Sequence, residues 1–222
     1  MKTETLKFDT AKGETTAYVA LPDKTDADSK AVILIQEYWG LNDHIKDIAG
    51  RYADEGFICI APDLYRGEIA TDSIYAAKLM DTLEIEDGLD TIKNAQAAAR
   101  EKYEISRFGI TGFCMGGTFA LRAVCHLEGF SASAPFYGDV PDETVLKNLN
   151  APVLFISGTK DKWINPEKVA ELERAARVHS LPIESVKYEA DHAFFNDTRE
   201  VYDADAAQDA WAKVISFFNE KL

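Results

Sequence analysis

The chain has 222 residues, of which 46% are hydrophobic and 28% are charged, and its formal net charge is −14 at pH 7. This length suits a single domain over residues 1–222, with a core large enough to need no disulfide or metal for stability. Because the negative charge repels phosphate backbones and anionic lipid surfaces, neither a nucleic-acid partner nor a membrane partner is expected.

Three cysteines, Cys59, Cys114 and Cys125, are too few to form a disulfide framework. No Cys/His group has metal-ligand spacing, so neither a metal nor another cofactor is expected. The first residues lack the apolar segment of a signal peptide, and no apolar run is long enough to span a bilayer. We therefore expect a cytoplasmic protein, either a monomer or a small homo-oligomer.

The first predicted elements are two weak strands near Thr5–Phe8 and Thr15–Ala20. The turn Ala11–Gly13 separates them, which predicts an antiparallel hairpin at the edge of a sheet. A polar loop, Pro22–Lys30, then leads to the apolar run 31–36. Such a run is typical of a strand that is covered on both faces, as in a parallel sheet.

A helix is predicted next, from Asn42 or Asp43 as the N-cap to Glu55. Gly56 ends it, and residues 57–61 form the next buried strand. One or two helices then span roughly Ser73–Lys102. The inner face of the first helix is predicted to carry Ile45, Ile48, Ala49 and Tyr52.

The same alternation continues to the end of the chain. Strands are predicted at 107–112, 130–137, 152–158 and 183–188, and helices at Met115–His126, Pro166–His179 and about Ala204–Asn219. Strands that alternate with helices predict an α/β fold. We expect a mainly parallel sheet of about seven or eight strands with helices on both faces.

The segment Gly112–Gly117, G-F-C-M-G-G, places Cys114 between a predicted strand and a predicted helix. This is the spacing of the nucleophile elbow of α/β-hydrolases, with Cys in place of Ser. The elbow holds its central residue in a strained backbone conformation, so the flanking residues must be small. The amino end of the following helix favours the thiolate. Cys114 is the candidate nucleophile, whereas Cys59 and Cys125 are predicted to be buried packing residues.

A thiol nucleophile needs a base, and the base needs a group that orients it. In α/β-hydrolases the acid and then the histidine follow the nucleophile along the chain. Asp161 and His192 have this order, and both follow predicted strands, at the sheet edge where such folds bind ligands. His192 would take the thiol proton and Asp161 would hold the imidazole. Asp139, after the strand that ends in F-Y-G, is the alternative acid.

Three other histidines are weaker candidates. His126 and His179 end predicted helices, where a cation complements the helix dipole. His44 opens the first long helix near the Q-E-Y-W-G loop and is a candidate for lining the pocket.

The loop at residues 36–40 follows the first buried strand, where this fold supplies the second amide of the oxyanion hole. That position nominates the backbone N–H groups of Tyr38 and Met115. Glu37 is costly to bury without partners, so it is either a solvated acid or a carboxylate facing the Cys114 thiol. Further candidates for lining the substrate pocket are Trp39, Phe113, Tyr137, Phe194 and Arg199.

From about Leu6 to Phe218 the chain resembles the dienelactone hydrolase (carboxymethylenebutenolidase) family. The motifs that carry the resemblance are V-I-L-I-Q-E-Y-W-G-L-N, I-A-P-D-L-Y, G-F-C-M-G-G, F-Y-G, G-T-K-D and H-A-F-F-N-D. The resemblance implies an α/β-hydrolase that opens an unsaturated lactone with a triad of Cys114, His192 and Asp161. It also implies that Glu37 bonds the resting thiol and takes its proton when substrate enters.

The chain departs from the family pattern in its arginines. The prototype enzymes grip a substrate carboxylate with two arginines, one shortly after the histidine, where this chain has Asn196 and then Arg199. The stretch Asp72–Leu83 contains no arginine, and Arg51 and Arg66 are only loosely placed. The resemblance therefore implies the hydrolase class more firmly than the dienelactone substrate.

Three classes of function are compatible with this sequence. The first is a hydrolase of small esters or lactones that acts through an acyl-enzyme intermediate. The second is a catalytically silent module that binds small molecules on the same fold, since fold does not fix function. The third is a thiol redox protein, because a cysteine at a helix terminus can be acidic and oxidisable.

Overall fold

The computed structural model describes residues 1–24 and 29–222, so residues 25–28 of the predicted loop Pro22–Lys30 lie outside the described residues. Its strands are β1 (Lys2–Thr10), β2 (Gly13–Leu21), β3 (Lys30–Ile35), β4 (Ile58–Pro62), β5 (Arg107–Phe113), β6 (Phe130–Phe136), β7 (Val153–Gly158) and β8 (Ile183–Tyr188). Its helices are α1 (Asp43–Asp54), α2 (Ser73–Thr82), α3 (Ile85–Tyr103), α4 (Met115–His126), α5 (Glu143–Leu146), α6 (Pro166–His179) and α7 (Ala204–Lys221).

The eight strands form one mixed sheet in the order β1-β2-β4-β3-β5-β6-β7-β8. The pairs β3–β4, β6–β7 and β7–β8 are parallel, whereas β1–β2 and β2–β4 are antiparallel. This arrangement confirms the predicted α/β class and strand number. By its contacts the chain divides into two compact units, Met1–Ile110 and Thr111–Leu222.

The first unit begins with the predicted edge hairpin, which is longer than its sequence indicates. β1 and β2 pair in register from Lys2 opposite Leu21 to Thr10 opposite Gly13. Gly13 has a φ of 104° at the turn, a conformation that favours glycine. Cross-strand pairing extends both strands over polar residues of weak strand propensity, which is why single-strand patterns underestimate them.

Helix α1 follows the prediction from cap to end. The Asn42 side chain accepts a hydrogen bond from the Ile45 N–H at 3.1 Å, and Gly56, with a φ of 91°, allows the chain to turn after the helix. The predicted inner face, Ile45, Ile48, Ala49 and Tyr52, is fully buried. The span Ser73–Lys102 proves to contain two helices, since Asp72 caps α2 and Leu83 interrupts the helical backbone before α3.

In the second unit, α4 packs on β6, α6 on β8, and α7 on β6 and β7. The predicted bounds of α4, α6 and β8 agree with the structure. Helix α5 is a single turn that its sequence did not predict. Across the described ranges, no helix is long and apolar enough to cross a membrane, and no group of three or more His, Cys, Asp or Glu side chains could hold a metal ion.

Candidate active site

Cys114 occupies a tight turn between the end of β5 and the start of α4. Its φ is 57° and its ψ is −117°, a combination that L-residues rarely adopt. Its N–H donates to the Phe136 carbonyl at the end of β6 over 3.1 Å, which holds the turn against the sheet. The side chain is a free thiol that is only partly buried. The backbone strain thus places a thiol where a ligand can reach it.

Two glycines allow this turn to approach β6. A Cβ atom added to Gly117 would lie 2.3 Å from the Phe136 carbonyl oxygen, and one added to Gly138 would lie 2.2 Å from the Gly117 carbonyl carbon. Both contacts are with backbone atoms, which cannot rotate away. The third glycine of G-F-C-M-G-G therefore has a packing function that its position in the sequence motif did not reveal.

Thr118 connects the elbow to the loop after β6. Its Oγ1 accepts the Asp139 N–H at 2.8 Å and donates to the Cys114 carbonyl at 3.4 Å. The Asp139 carboxylate is half-exposed and forms an ion pair with Lys168 at the start of α6. The alternative triad acid is therefore paired with a lysine rather than with a histidine.

Asp161 and His192 lie together in the loops after β7 and β8. His192 Nδ1 is 2.6 Å from Asp161 Oδ2. Asp161 Oδ1 accepts the N–H groups of Trp163 at 2.8 Å and Ile164 at 2.9 Å, so the whole carboxylate is held. Burial works against its charge, but these bonds, led by the one with His192, hold the pKa of Asp161 below its usual range.

The pairing of β7 with β8 brings these two loops to the same level. Gly158 at the end of β7 lies opposite Tyr188 at the end of β8. Beyond the strands, the Lys160 N–H donates to the Ala190 carbonyl at 3.0 Å. Gly158 has no room for a side chain, because an added Cβ would lie 2.3 Å from that same carbonyl oxygen. Backbone contacts therefore fix the two loops to each other independently of the hydrogen bond between the Asp161 and His192 side chains.

The His192 ring lies between two aromatic side chains. Tyr137 is 5.0 Å away between ring centroids and is fully buried, and Trp163 is 4.8 Å away and nearly perpendicular. Burial opposes protonation of the imidazole, but the hydrogen bond to Asp161 and the nearby Cys114 sulfur raise the pKa of His192 to about 9. Nε2 is buried and has no hydrogen-bond partner among the described residues. This nitrogen is thus the one available for proton exchange with a thiol or substrate.

The aromatic pocket candidates of this unit lie deeper than Cys114. Phe113 is buried and stacks on Phe195 with 4.9 Å between ring centroids. Tyr137 and Phe194 are also fully buried, 5.6 Å apart. These side chains form an aromatic core beneath the elbow. Trp163, which sequence reasoning missed, is the aromatic residue that contacts His192 from an exposed position.

The two residues at the arginine positions have different environments. Asn196 is buried, and its Oδ1 accepts bonds from the Thr198 N–H and hydroxyl at 3.0 and 2.6 Å. Its side chain therefore stabilises the turn after His192. Arg199 is exposed, and its N–H donates to the Asn196 carbonyl.

The remaining candidates of the first unit follow β3. Glu37 is buried, with 2% of its surface exposed, while Tyr38 and Trp39 are partly exposed and their ring centroids are 4.6 Å apart. Gly40 has a φ of 99°, and a Cβ there would lie 2.6 Å from a backbone oxygen, which explains the glycine. His44 is buried in the first turn of α1. Met115, the other predicted oxyanion donor, lies in the second unit, where it opens α4 directly after Cys114.

Comparison with known proteins relates nearly the whole chain to a single family. The profile of the dienelactone hydrolase family matches residues 15–222. An Aquifex aeolicus protein named "Putative carboxymethylenebutenolidase" is 34% identical over 219 residues, which is 92% of this chain and 93% of that protein. A Bradyrhizobium protein named "Probable 2-oxo-3-(5-oxofuran-2-ylidene)propanoate lactonase" is 33% identical over 244 residues, 100% of this chain and 98% of that protein.

Solved structures agree with these matches. The crystal structure of a protein described as "Putative Dienelactone Hydrolase" from Klebsiella pneumoniae superposes with a TM-score of 0.90 at 30% identity, covering 99% of both chains. Profile, sequence and fold thus point to one family. The chain belongs to the dienelactone hydrolase family, whose members hydrolyse esters and lactones.

Proposed function

We propose that this protein hydrolyses small esters or lactones through an acyl-enzyme intermediate on Cys114. The observation that carries the proposal is the Asp161–His192 pair at 2.6 Å, in which the hydrogen bond to Asp161 and then the Cys114 sulfur raise the pKa of the imidazole. A nucleophile, a base and a group that orients the base are what such catalysis requires. Membership of the family supplies the ester or lactone class of substrate.

In the proposed reaction the Cys114 thiol gives its proton to Glu37, and Sγ attacks the carbonyl carbon of the substrate to form a tetrahedral intermediate. The tetrahedral intermediate collapses, the bond from carbon to the alcohol oxygen breaks, and His192 gives a proton to that oxygen. Water then attacks the thioester carbonyl carbon while His192, now neutral, removes a proton from the water. The carbon–sulfur bond breaks, and the Cys114 sulfur recovers its proton from Glu37. The products are a carboxylic acid and an alcohol, which remain one molecule when the substrate is a lactone.

Stabilisation of the tetrahedral oxyanion is assigned to the backbone N–H groups of Met115 and Tyr38. Met115 stands at the amino end of α4, where the helix dipole favours a negative charge. Glu37 is proposed to bond the Cys114 thiol in the free enzyme and to accept its proton when substrate enters. Support for the Glu37 role comes from the family resemblance and from the burial of its carboxylate.

The other two function classes have less support. A dithiol redox protein needs a second accessible thiol, but Cys59 and Cys125 are buried. Burial raises the pKa of both, that of Cys125 to about 11, which disfavours the reactive thiolate. Cys125 is also at the far end of α4 from Cys114, roughly 16 Å along the helix axis. A silent binding module does not need a histidine bonded to a buried carboxylate beside a strained cysteine.

The test combines turnover with trapping of the intermediate. Wild type should hydrolyse p-nitrophenyl acetate, and mass spectrometry of the quenched reaction should find the acetyl group on Cys114. Cys114→Ala should lose nearly all activity with an unchanged far-UV spectrum, whereas Cys125→Ala, the same substitution later in α4, should retain it. Activity that survives in Cys114→Ala would overturn the assignment of the nucleophile.

Substrate preference and cellular location belong to the same proposal. The acidic chain and its three free cysteines, which suit a reducing compartment, lead us to propose a cytoplasmic enzyme for small molecules. A panel of neutral and carboxylated lactones, compared by kcat/KM, decides whether the substrate carries a carboxylate.

A further inference from the structure

Trp163 has an unusual environment for a residue of its type. Tryptophan is highly buried on average because its ring carries a large apolar surface. The Trp163 side chain nevertheless lies 69% exposed, although its ring is only 4.8 Å from that of His192. An exposed indole next to a proposed catalytic base is a surface that a ligand can cover.

The backbone holds Trp163 at a fixed distance from the catalytic pair. Its N–H donates to Asp161 Oδ1 at 2.8 Å, while the other oxygen of that carboxylate bonds His192 Nδ1. This bond fixes the backbone of Trp163 beside the pair, so the indole can change its position only by rotation about its own side-chain torsions.

The side of the substrate that meets the indole follows from the direction of proton transfer. His192 Nδ1 is engaged by Asp161, so Nε2 is the atom that protonates the leaving oxygen. The alcohol portion of an ester must then lie against the imidazole. Two aromatic side chains neighbour the His192 ring. Tyr137 is fully buried, so Trp163 is the exposed one that can contact the alcohol portion of the substrate.

We infer that Trp163 is a specificity-determining residue that binds the alcohol portion of neutral esters and lactones and favours apolar or aromatic groups there. This inference rests on the proposed hydrolase function and names the substrate class of the same site. Burying a phenyl group against the indole would remove apolar surface of both from water. Contacts of this kind in enzyme pockets change kcat/KM by roughly 10-fold or more.

The test compares two pairs of esters with wild type, Trp163→Ala and Trp163→Phe. Ethyl acetate and 2-phenylethyl acetate share an acyl group and have similar leaving alcohols, so they differ by a phenyl group on the alcohol side. Ethyl acetate and ethyl phenylacetate differ by a phenyl group on the acyl side. Trp163→Ala should lower kcat/KM for 2-phenylethyl acetate about 10-fold more than for ethyl acetate. The acyl pair should keep its wild-type ratio, and Trp163→Phe should restore most of the loss.

An equal loss for all three esters would mean that Trp163 only supports the Asp161–His192 pair, and a loss confined to ethyl phenylacetate would place the indole on the acyl side. Either result overturns the inference. A second measurement does not depend on turnover, namely binding of 2-phenylethanol to Cys114→Ala measured by isothermal titration calorimetry. Binding should be weakened about 10-fold when Trp163→Ala is added. If wild type hydrolysed no ester, the proposed function would fail, and this binding measurement would still decide whether Trp163 forms an aromatic site.

Discussion

Two helical glycines should respond in opposite ways to the same substitution. Glycine disfavours a helix by up to about 1 kcal/mol relative to alanine, so Gly→Ala normally stabilises a helix. At Gly50 in α1, an added Cβ would meet only the flexible end of Met1, with its sulfur at 3.2 Å. At Gly117 in α4, it would lie 2.3 Å from the Phe136 carbonyl oxygen.

The magnitude at Gly117 follows from what must move. Ordinary van der Waals contact for a Cβ begins near 3.4 Å, so the backbones must separate by about 1 Å. The same Phe136 oxygen accepts the Cys114 N–H, and that bond would open. Overpacking costs about 1–3 kcal/mol and the lost bond about 1 kcal/mol, against about 1 kcal/mol of helix propensity. We expect Gly117→Ala to lower the free energy of unfolding by about 2 kcal/mol.

For both variants, urea unfolding followed by circular dichroism gives the free energy of unfolding, and thermal unfolding gives Tm. Gly117→Ala should lower Tm by roughly 4–8 °C, since about 1 kcal/mol corresponds to 2–4 °C in a chain of this size. Gly50→Ala should raise Tm or leave it unchanged. The displaced elbow should also cost Gly117→Ala esterase activity. If both variants were stabilised alike, the close approach between α4 and β6 would not exist as described.

The remaining predictions concern the candidate site. Asp161→Asn should reduce kcat roughly 10³-fold or more, whereas Asp139→Asn should stay near wild type; the reverse pattern would exchange their roles. Cys114→Ala should lower the pKa of His192 from about 9, measured by NMR titration of the imidazole, because the sulfur helps to raise it; an unchanged pKa would contradict that coupling. The pKa of His192 is raised from its ordinary value of 6.5 to about 9 in the folded protein. Protonation of His192 therefore stabilises the fold fully below pH 6.5, and this contribution is lost as the pH rises through about 9. The difference in urea midpoint between wild type and His192→Gln should therefore shrink over that window, and a difference that grew would refute the sign. Glu37→Gln should keep the near-UV spectrum but slow single-turnover acylation, since an amide cannot take the thiol proton; an unchanged rate would remove Glu37 from the mechanism.

Elements with both a start signal and a stop signal were predictable from the sequence. Asn42 and Gly56 bracket α1, and a proline opens α6, and the predicted bounds of these helices agree with the structure. β1 was predicted too short because its length depends on pairing with β2, a tertiary effect that propensity does not contain. The single turn of α5 has too few residues to show a periodic pattern.

The candidate site could likewise be predicted from the sequence only in part. The elbow motif and the order of acid and histidine were enough to nominate Asp161 and His192, which the structure brings within 2.6 Å. The contact of Trp163 with His192 was missed because Trp163 lies in a loop two residues after Asp161, a position that any type of side chain can occupy. The contact between Gly117 and Gly138 was missed for another reason: it joins segments that are distant in sequence, and a glycine does not disclose which backbone it faces.

The register of β7 against β8 makes the lengths of two loops interdependent. Gly158 and Tyr188 are paired at the ends of the two strands. Asp161 comes three residues after Gly158, and His192 comes four residues after Tyr188. One inserted residue would displace a side chain by about 3.3 Å, which is more than the length of the bond that joins the pair. Insertions and deletions should therefore be excluded, in both loops, between the end of the strand and the proposed catalytic residue that follows it. Loop grafts that aim to change this enzyme's substrate should begin after His192 or beyond Ile164, where added length leaves that spacing intact.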